Sequence, residues 1–119
     1  MVKVGVMGSA GDTLTEGVGE ELREKAVALG RAIAARGLVV LTGATTGLPQ
    51  MVGKTAHDGG ALHVGVSPAG DEREHVEAYN YPTESTDVII YTGFGLKGVG
   101  FGKGLWAADE VLRLNYRKR

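Results

Sequence analysis

Leu38-Val39-Val40-Leu41-Thr42-Gly43-Ala44-Thr45-Thr46-Gly47-Leu48-Pro49 is the stretch on which the reading of this chain turns. It opens as an unbroken apolar run of leucine and valine, the pattern of a strand buried on both faces of a parallel sheet. The run stops at Thr42-Gly43, passes through small and hydroxyl residues, and reaches Gly47. Pro49 then suits the first turn of a helix, because its φ is fixed and its missing N–H is not needed there. A strand, a glycine-bearing turn and a helix start together aim main-chain N–H groups at an anion, and the helix dipole adds to the attraction. Thr45 and Thr46 supply hydroxyls suited to phosphate or ribose oxygens. A tight connection that binds nothing would use the same residues, so the stretch specifies a fold more firmly than a ligand.

Upstream, Val2 to Met7 reads as a strand interrupted only by Gly5, and it ends at Gly8-Ser9-Ala10-Gly11. A second small-residue turn after a first strand is what a doubly wound sheet needs at its nucleotide edge. The dinucleotide frame G-x-G-x-x-G is not met from Gly5 or Gly8. Leu22, Ala26, Leu29 and Ile33 then recur at helical spacing, with Glu20, Glu21, Arg23, Glu24 and Arg31 on other faces. Gly37 terminates that helix and leads into the Leu38 strand. The unit is βαβ, and its right-handed crossover brings both glycine turns to one edge of the sheet. The candidate ligand-binding residues are therefore Gly8, Ser9, Ala10, Gly11, Thr42, Gly43, Ala44, Thr45, Thr46 and Gly47.

Composition narrows the classes. The 119 residues suffice for one small domain with one core, so residues 1–119 are read as a single unit. A net charge of -1 gives no electrostatic case for nucleic acid or an anionic membrane. Without cysteine there is neither a disulfide framework nor a thiolate metal site. No signal-peptide core or membrane-length apolar run is present, so the expectation is a cytoplasmic protein. Amide side chains are limited to Gln50, Asn80 and Asn115, a composition seen in proteins from hot-growing sources. Twenty glycines are the outlying count, and their placement carries most of the information.

After Pro49 a helix carries Met51, Val52 and Thr55-Ala56 and ends near Asp58-Gly59-Gly60; Ala61 to Ser67 forms a third strand, stopped by Pro68. The ordered set Gly8-Ser9, Ala28-Leu29-Gly30, Ile33-Ala34, Gly37, Thr42-Gly43, Thr46-Gly47-Leu48, Gly59-Gly60 and Val64-Gly65-Val66-Ser67-Pro68 resembles the Rossmann-like superfamily of cytokinin-activating phosphoribohydrolases, the "lysine decarboxylase-like" proteins. Tyr79 to Gly98, with Thr86-Asp87-Val88-Ile89-Ile90-Tyr91-Thr92-Gly93, is similar to an uncharacterised branch of it, and the likeness runs from about residue 2 to residue 98. That resemblance implies a doubly wound sheet, a dimer, and a nucleotide or phosphosugar bound at the turns. It also implies, in members that are enzymes, an arginine and a Pro-Gly-Gly-x-Gly-Thr-x-x-Glu motif whose glutamate helps cleave an N-glycosidic bond. Neither is found here. Val99 follows Lys97-Gly98, and Phe101-Gly102-Lys103-Gly104-Leu105-Trp106-Ala107-Ala108 lacks the first glycine, the threonine and the glutamate. The family's later strands are missing as well, so the chain reads as truncated before the catalytic motif.

Other chemistry finds little support. Asp71, Glu72, Arg73, Glu74 and Glu77 read as a solvated acidic loop. His57, His63 and His75 lack metal-ligand spacing, and His63, in an apolar strand, reads as a packed histidine. Lys54, Lys97 and Lys103 lie in no recognisable pyridoxal setting, so no cofactor is expected. The glycine- and lysine-bearing run Gly93 to Gly104 is not a P-loop, since Lys103 is followed by Gly104; it reads as a flexible connection before an amphipathic helix.

The expected fold is α/β, three-layered and Rossmann-like, with a short, mainly parallel sheet. Its strands fall near 2–7, 38–42, 61–67 and 87–91, and its helices near 20–36, 49–58 and 104–115. The leading function is a nucleotide- or phosphosugar-binding protein without the family's catalysis. The alternatives are a nucleoside 5′-monophosphate phosphoribohydrolase using Glu72, Glu74 or Glu84, and a non-catalytic assembly module. A homodimer or higher homo-oligomer is expected, because a short sheet leaves an edge and apolar faces uncovered.

Overall fold

The computed structural model describes residues 2–8 and 18–95. Residues 1, 9–17 and 96–119, including the helix expected at 104–115, lie outside the described residues. Four strands form one sheet: β1 (Lys3–Gly5), β2 (Val39–Thr42), β3 (His63–Ser67) and β4 (Val88–Tyr91). All three pairings are parallel, so the fold is α/β and Rossmann-like, as the buried apolar runs indicated. β1 is shorter than its apolar run, although Val6 N–H still donates to Leu41 O at 2.9 Å.

Two helices fill the first two crossovers, α1 (Val18–Ala35) and α2 (Leu48–Asp58). They lie side by side on one face of the sheet, and small residues set how closely they approach. A Cβ built on Gly30 of α1 would sit 2.6 Å from Thr55 Cβ and 2.8 Å from the Val52 carbonyl of α2. Ala26, Ile33, Val40, Val52 and Ala56 close the core between these helices and the sheet. The period-2 alternation of β2 and β3 sends Val39, Leu41, Val64 and Val66 to the opposite face, where all four are buried with Leu62 and Ile90 against them. Two buried faces are the requirement of a three-layer α/β sheet.

Two expectations need correction. The described strands run in the order β1-β2-β3-β4, so the sheet winds in one direction there, and no doubly wound reversal falls between β1 and β2. The ligand edge therefore rests on the shared carboxyl ends of parallel strands, and no switch point marks it. The acidic stretch after β3 is not a loop: helical turns begin at Glu72 and continue as a π-helical segment, Glu74–Ala78. Asp71 Oδ1 accepts the Glu74 N–H at 2.8 Å and nucleates it, and Arg73 pairs with Glu77 at 2.9 Å.

Gly30→Ala is expected to destabilise the protein. The helix-propensity gain is about 1 kcal/mol, whereas pressing a methyl into a neighbouring backbone costs about 1–3 kcal/mol. The lower urea midpoint measures the excess.

Candidate functional site

The carboxyl ends of all four strands share one edge, and three of them finish in the same way. Thr42 is the last residue of β2, and its Oγ1 accepts the Ala44 N–H at 3.2 Å. Ser67 is the last residue of β3, and its Oγ accepts the Ala69 N–H at 3.1 Å. Thr92 follows β4, and its Oγ1 accepts the Phe94 N–H at 3.2 Å while donating to Ser67 O at 2.8 Å. In each case a hydroxyl turns the chain two residues on, off the end of the strand. Gly93 N–H to Ala69 O (2.9 Å) and Gly95 N–H to Pro68 O (3.0 Å) tie the last two turns together.

The first two hydroxyls are themselves held by buried histidines. Thr42 Oγ1 lies 2.7 Å from His63 Nε2, and His63 Nδ1 lies 2.6 Å from Ser85 O. A carbonyl can only accept, so Nδ1 carries the proton and Nε2 accepts from the threonine hydroxyl. Burial pushes the His63 pKa below the usual value, against the opposing influence of the Ser85 carbonyl and Asp87. The ring is fully buried against Gly53 of α2, where any Cβ would clash with it. The second pair repeats the first: Ser67 Oγ is 2.7 Å from His75 Nδ1, and His75 Nε2–H donates to Pro82 O at 3.0 Å. Tyr81 and Tyr91 meet the His75 ring edge-on at 5.5 and 5.9 Å.

The opposite end of His63 is fixed at the amino edge of the sheet. Its N–H donates to Asp87 Oδ2 at 2.8 Å, and the same oxygen lies 3.1 Å from His57 Nδ1. Burial alone would raise the Asp87 pKa; the His63 N–H and the His57 side chain outweigh it and hold the carboxyl below its ordinary value.

These bonds locate the residues named from sequence. Gly8 lies against α2, since a Cβ there would be 3.7 Å from Pro49 Cγ, and the β1 and β2 turns therefore meet. Ser9, Ala10 and Gly11 lie outside the described residues. Thr42 and Ala44 are buried, so their part is to shape the turn. Ala44 adopts φ 57°, a conformation that costs an alanine on the order of 1 kcal/mol, and its methyl packs over Gly65, which has no side chain to obstruct it. Gly43, Thr45, Thr46 and Gly47 are half-buried along the rest of the turn. Gly47 begins α2 at φ 88° and ψ -154°, a region open only to glycine, and no side chain caps the helix. His63, His75, Ser67 and Ser85 were not foreseen as parts of this edge. Their one sequence signal is the repeat Thr42-Gly43-Ala44, Ser67-Pro68-Ala69, Thr92-Gly93-Phe94 at three successive strand ends. Glu84, a candidate catalytic carboxylate, precedes β4 and so lies toward the amino edge, away from the turns.

Residues 1–99 match the SLOG cluster4 family. The chain belongs to that family. The match confirms the Rossmann-like, lysine decarboxylase-like superfamily indicated by the glycines and strands. Among solved structures, the molybdenum cofactor binding protein from the phototrophic bacterium Rippkaea orientalis superposes with a TM-score of 0.62 at 27% identity, over 79% of this chain and 51% of its own. The Moco carrier protein from Chlamydomonas reinhardtii gives a TM-score of 0.67 at 26% identity, over 86% of this chain and 56% of its own. The chain thus spans about half the length of these two structures. A search of curated proteins found no match. No described helix is long and apolar enough to cross a membrane.

Protonation of His63 would take away the acceptor that Thr42 uses. The unfolded chain takes up that proton near pH 6.5, whereas the folded chain resists it. The stability it confers is complete above that pH and is lost as the pH falls through the lower folded value, as is the contribution of Asp87 further down. Urea midpoints are expected to drop from pH 7.5 to 5.5, and the unfolding free energy by up to about 1.4 kcal/mol per pH unit below the unfolded value for this one proton. His63→Gln should flatten that slope.

Proposed function

We propose that this protein binds a phosphate-bearing small molecule, a nucleotide or phosphosugar, at the carboxyl edge of its sheet, and acts as a binding or carrier protein. The observation that carries the reading is the β2–α2 turn. A helix start without a side-chain cap stands behind a turn held in a costly backbone conformation, beside the glycine end of β1. The β3 turn supplies an internal comparison. There Glu74, seven residues after Ser67, places Oε1 3.3 Å from the Gly70 N–H, so the chain's own carboxylate occupies that turn. The residue seven after Thr42 is Pro49, and Leu48-Pro49-Gln50-Met51 carries no carboxylate. A ligand phosphate at the β2 turn would make the bond that Glu74 makes at the β3 turn. The proposed site comprises residues 8–11 and 42–47, with Thr42 and Ala44 shaping it. Gln50 Oε1, in the first turn of α2, is buried without a partner among the described residues and suits a polar ligand group.

The two molybdenum-cofactor neighbours favour a second ligand of the same class, a phosphorylated pterin carried unchanged. The hydrolase reading is weaker. It needs a carboxylate beside the phosphate turn, and Glu72 and Glu74 are exposed along the segment after β3, with Glu74 engaged at Gly70.

Titration calorimetry and thermal shift with GMP, AMP, ribose 5-phosphate and molybdopterin test the proposal. A ligand at about 100 times its Kd should add roughly 2.7 kcal/mol of stability. The corresponding nucleosides should add none, and no free base should appear. Gly47→Ala should weaken binding, because alanine cannot hold the conformation of residue 47. Equal binding of nucleosides and their monophosphates would exclude the phosphate turn.

We further propose a homodimer. β1 is one of the two edge strands of the described sheet, and Val2 and Met7 beside it are exposed. Light scattering at micromolar concentration should give twice the chain mass, and a monomer would refute this.

A further inference from the structure

We propose that His63 is a positioning residue of the carboxyl-edge site. Its neutral imidazole locks the Thr42 hydroxyl, and that hydroxyl holds Ala44 in the left-handed conformation that aims the amides after it. The inference rests on the β2 turn being the ligand site, and its test separates the two.

Both ring nitrogens are engaged. Nδ1–H is spent on Ser85 O, Nε2 accepts from Thr42, the ring lies against Gly53, and the main chain at the same residue is tied to Asp87. A ring so held can present only one thing to Thr42, an acceptor. Thr42 Oγ1–H must then point down to the histidine, and the oxygen lone pairs are turned up toward the Ala44 N–H. Ala44 has no conformational reason to adopt φ 57° unaided. It is kept there from two sides, by the hydroxyl bond at its N–H and by the space over Gly65 at its methyl.

The device recurs with independent residues. Ser67, His75 and Pro82 O reproduce the relay of Thr42, His63 and Ser85 O, and the Ala69 N–H is bonded as the Ala44 N–H is; the left-handed backbone belongs to Ala44, whose methyl has the space over Gly65. The two differ in what meets the turn: Glu74 at β3, and no carboxylate of residues 48–51 at β2. Two strand ends carrying one histidine-backed turn each make the histidines part of the edge, and a role confined to filling the core would not place a hydroxyl relay on both.

The test uses the full chain and three variants, Thr42→Val, Thr42→Ser and His63→Gln, with GMP as the probe. Nitrogen and carbon NMR follow the His63 ring, the Ala44 amide and the Ala44 Cβ; calorimetry follows GMP. Thr42→Val keeps shape and removes the hydroxyl. It should shift the His63 Nε2 and Ala44 signals together, move Ala44 Cβ away from its left-handed value, and weaken GMP by about tenfold or more, the scale of one lost hydrogen bond. Thr42→Ser should recover most of both effects. His63→Gln should perturb Ala44, with which the ring itself shares no bond. An Ala44 signal unmoved in Thr42→Val or His63→Gln, or Thr42→Ser no better than Thr42→Val, overturns the proposal. If wild-type protein binds no GMP, the ligand reading for GMP fails and the positioning claim falls with it, while the NMR signals still show whether the lock itself exists.

Discussion

A neutral imidazole has one donor and one acceptor, and burying it obliges the protein to satisfy both. His63 meets that obligation at the centre of the described sheet, and much else follows from how it does so. Its donor reaches across to Ser85 O, which fixes the approach to β4; its acceptor takes the Thr42 hydroxyl, which fixes the exit from β2. One ring thereby links the start of one strand to the end of another. Leaving either nitrogen unpaired would cost about 1–3 kcal/mol, a substantial share of a small domain's stability. Burial keeps the ring uncharged near neutral pH against the opposing pull of the Ser85 carbonyl and Asp87, so that the hydroxyl above it has a single orientation.

Space for the ring is made by what is absent on α2. Gly53 offers no Cβ where the imidazole lies, and the same economy appears at Gly30 between the helices and at Gly65 beneath Ala44. Each brings a backbone or a ring closer than any other residue would permit. The helices are consequently drawn down onto the sheet, and the α2 start is drawn up against Gly8 at the end of β1. The site edge is thus a product of close packing several residues behind it. The loop sequence alone does not create it.

The three strand-end hydroxyls give the edge its regularity. Thr42, Ser67 and Thr92 each accept an N–H two residues on, so three neighbouring turns leave the sheet under the same local constraint. Acidic residues then distinguish them. Asp71, Glu72 and Glu74 follow β3, and Asp71 and Glu72 add to burial in raising the Tyr91 pKa. The β2 side has no such charges between Thr42 and Met51. The proposed anion would sit at the end of the edge away from these carboxylates, an asymmetry that suits a ligand with one charged end. Membership of the SLOG cluster4 family and the likeness to molybdenum-cofactor-binding proteins support the proposal that this edge holds a ligand.

The sequence by itself determined the strands and their parallel character. Those features depend on local pattern: apolar runs of β-branched residues, ended by glycine at Gly8, Gly43 and Gly93 and by Pro68 after the third, and Pro49 inside a helix start. Right-handed crossovers between parallel strands also put the ends of β1 and β2 at one edge, where Gly8 lies against Pro49. The winding order was different. Nothing local in a strand says whether the next crossover continues or reverses, and only tertiary structure shows β1 to β4 in sequence. The acidic stretch after β3 was misread as a loop because its helical turns are stabilised by Asp71, Arg73 and Glu77 contacts and have no apolar periodicity. Above all, the partners of Thr42 and Ser67 were invisible. His63 is 21 residues from Thr42, and the bond exists because parallel pairing sets Val40 beside His63, putting the ring and the Thr42 hydroxyl on the same face under Gly53. Register and close packing made that contact, and neither can be read from a chain one residue at a time.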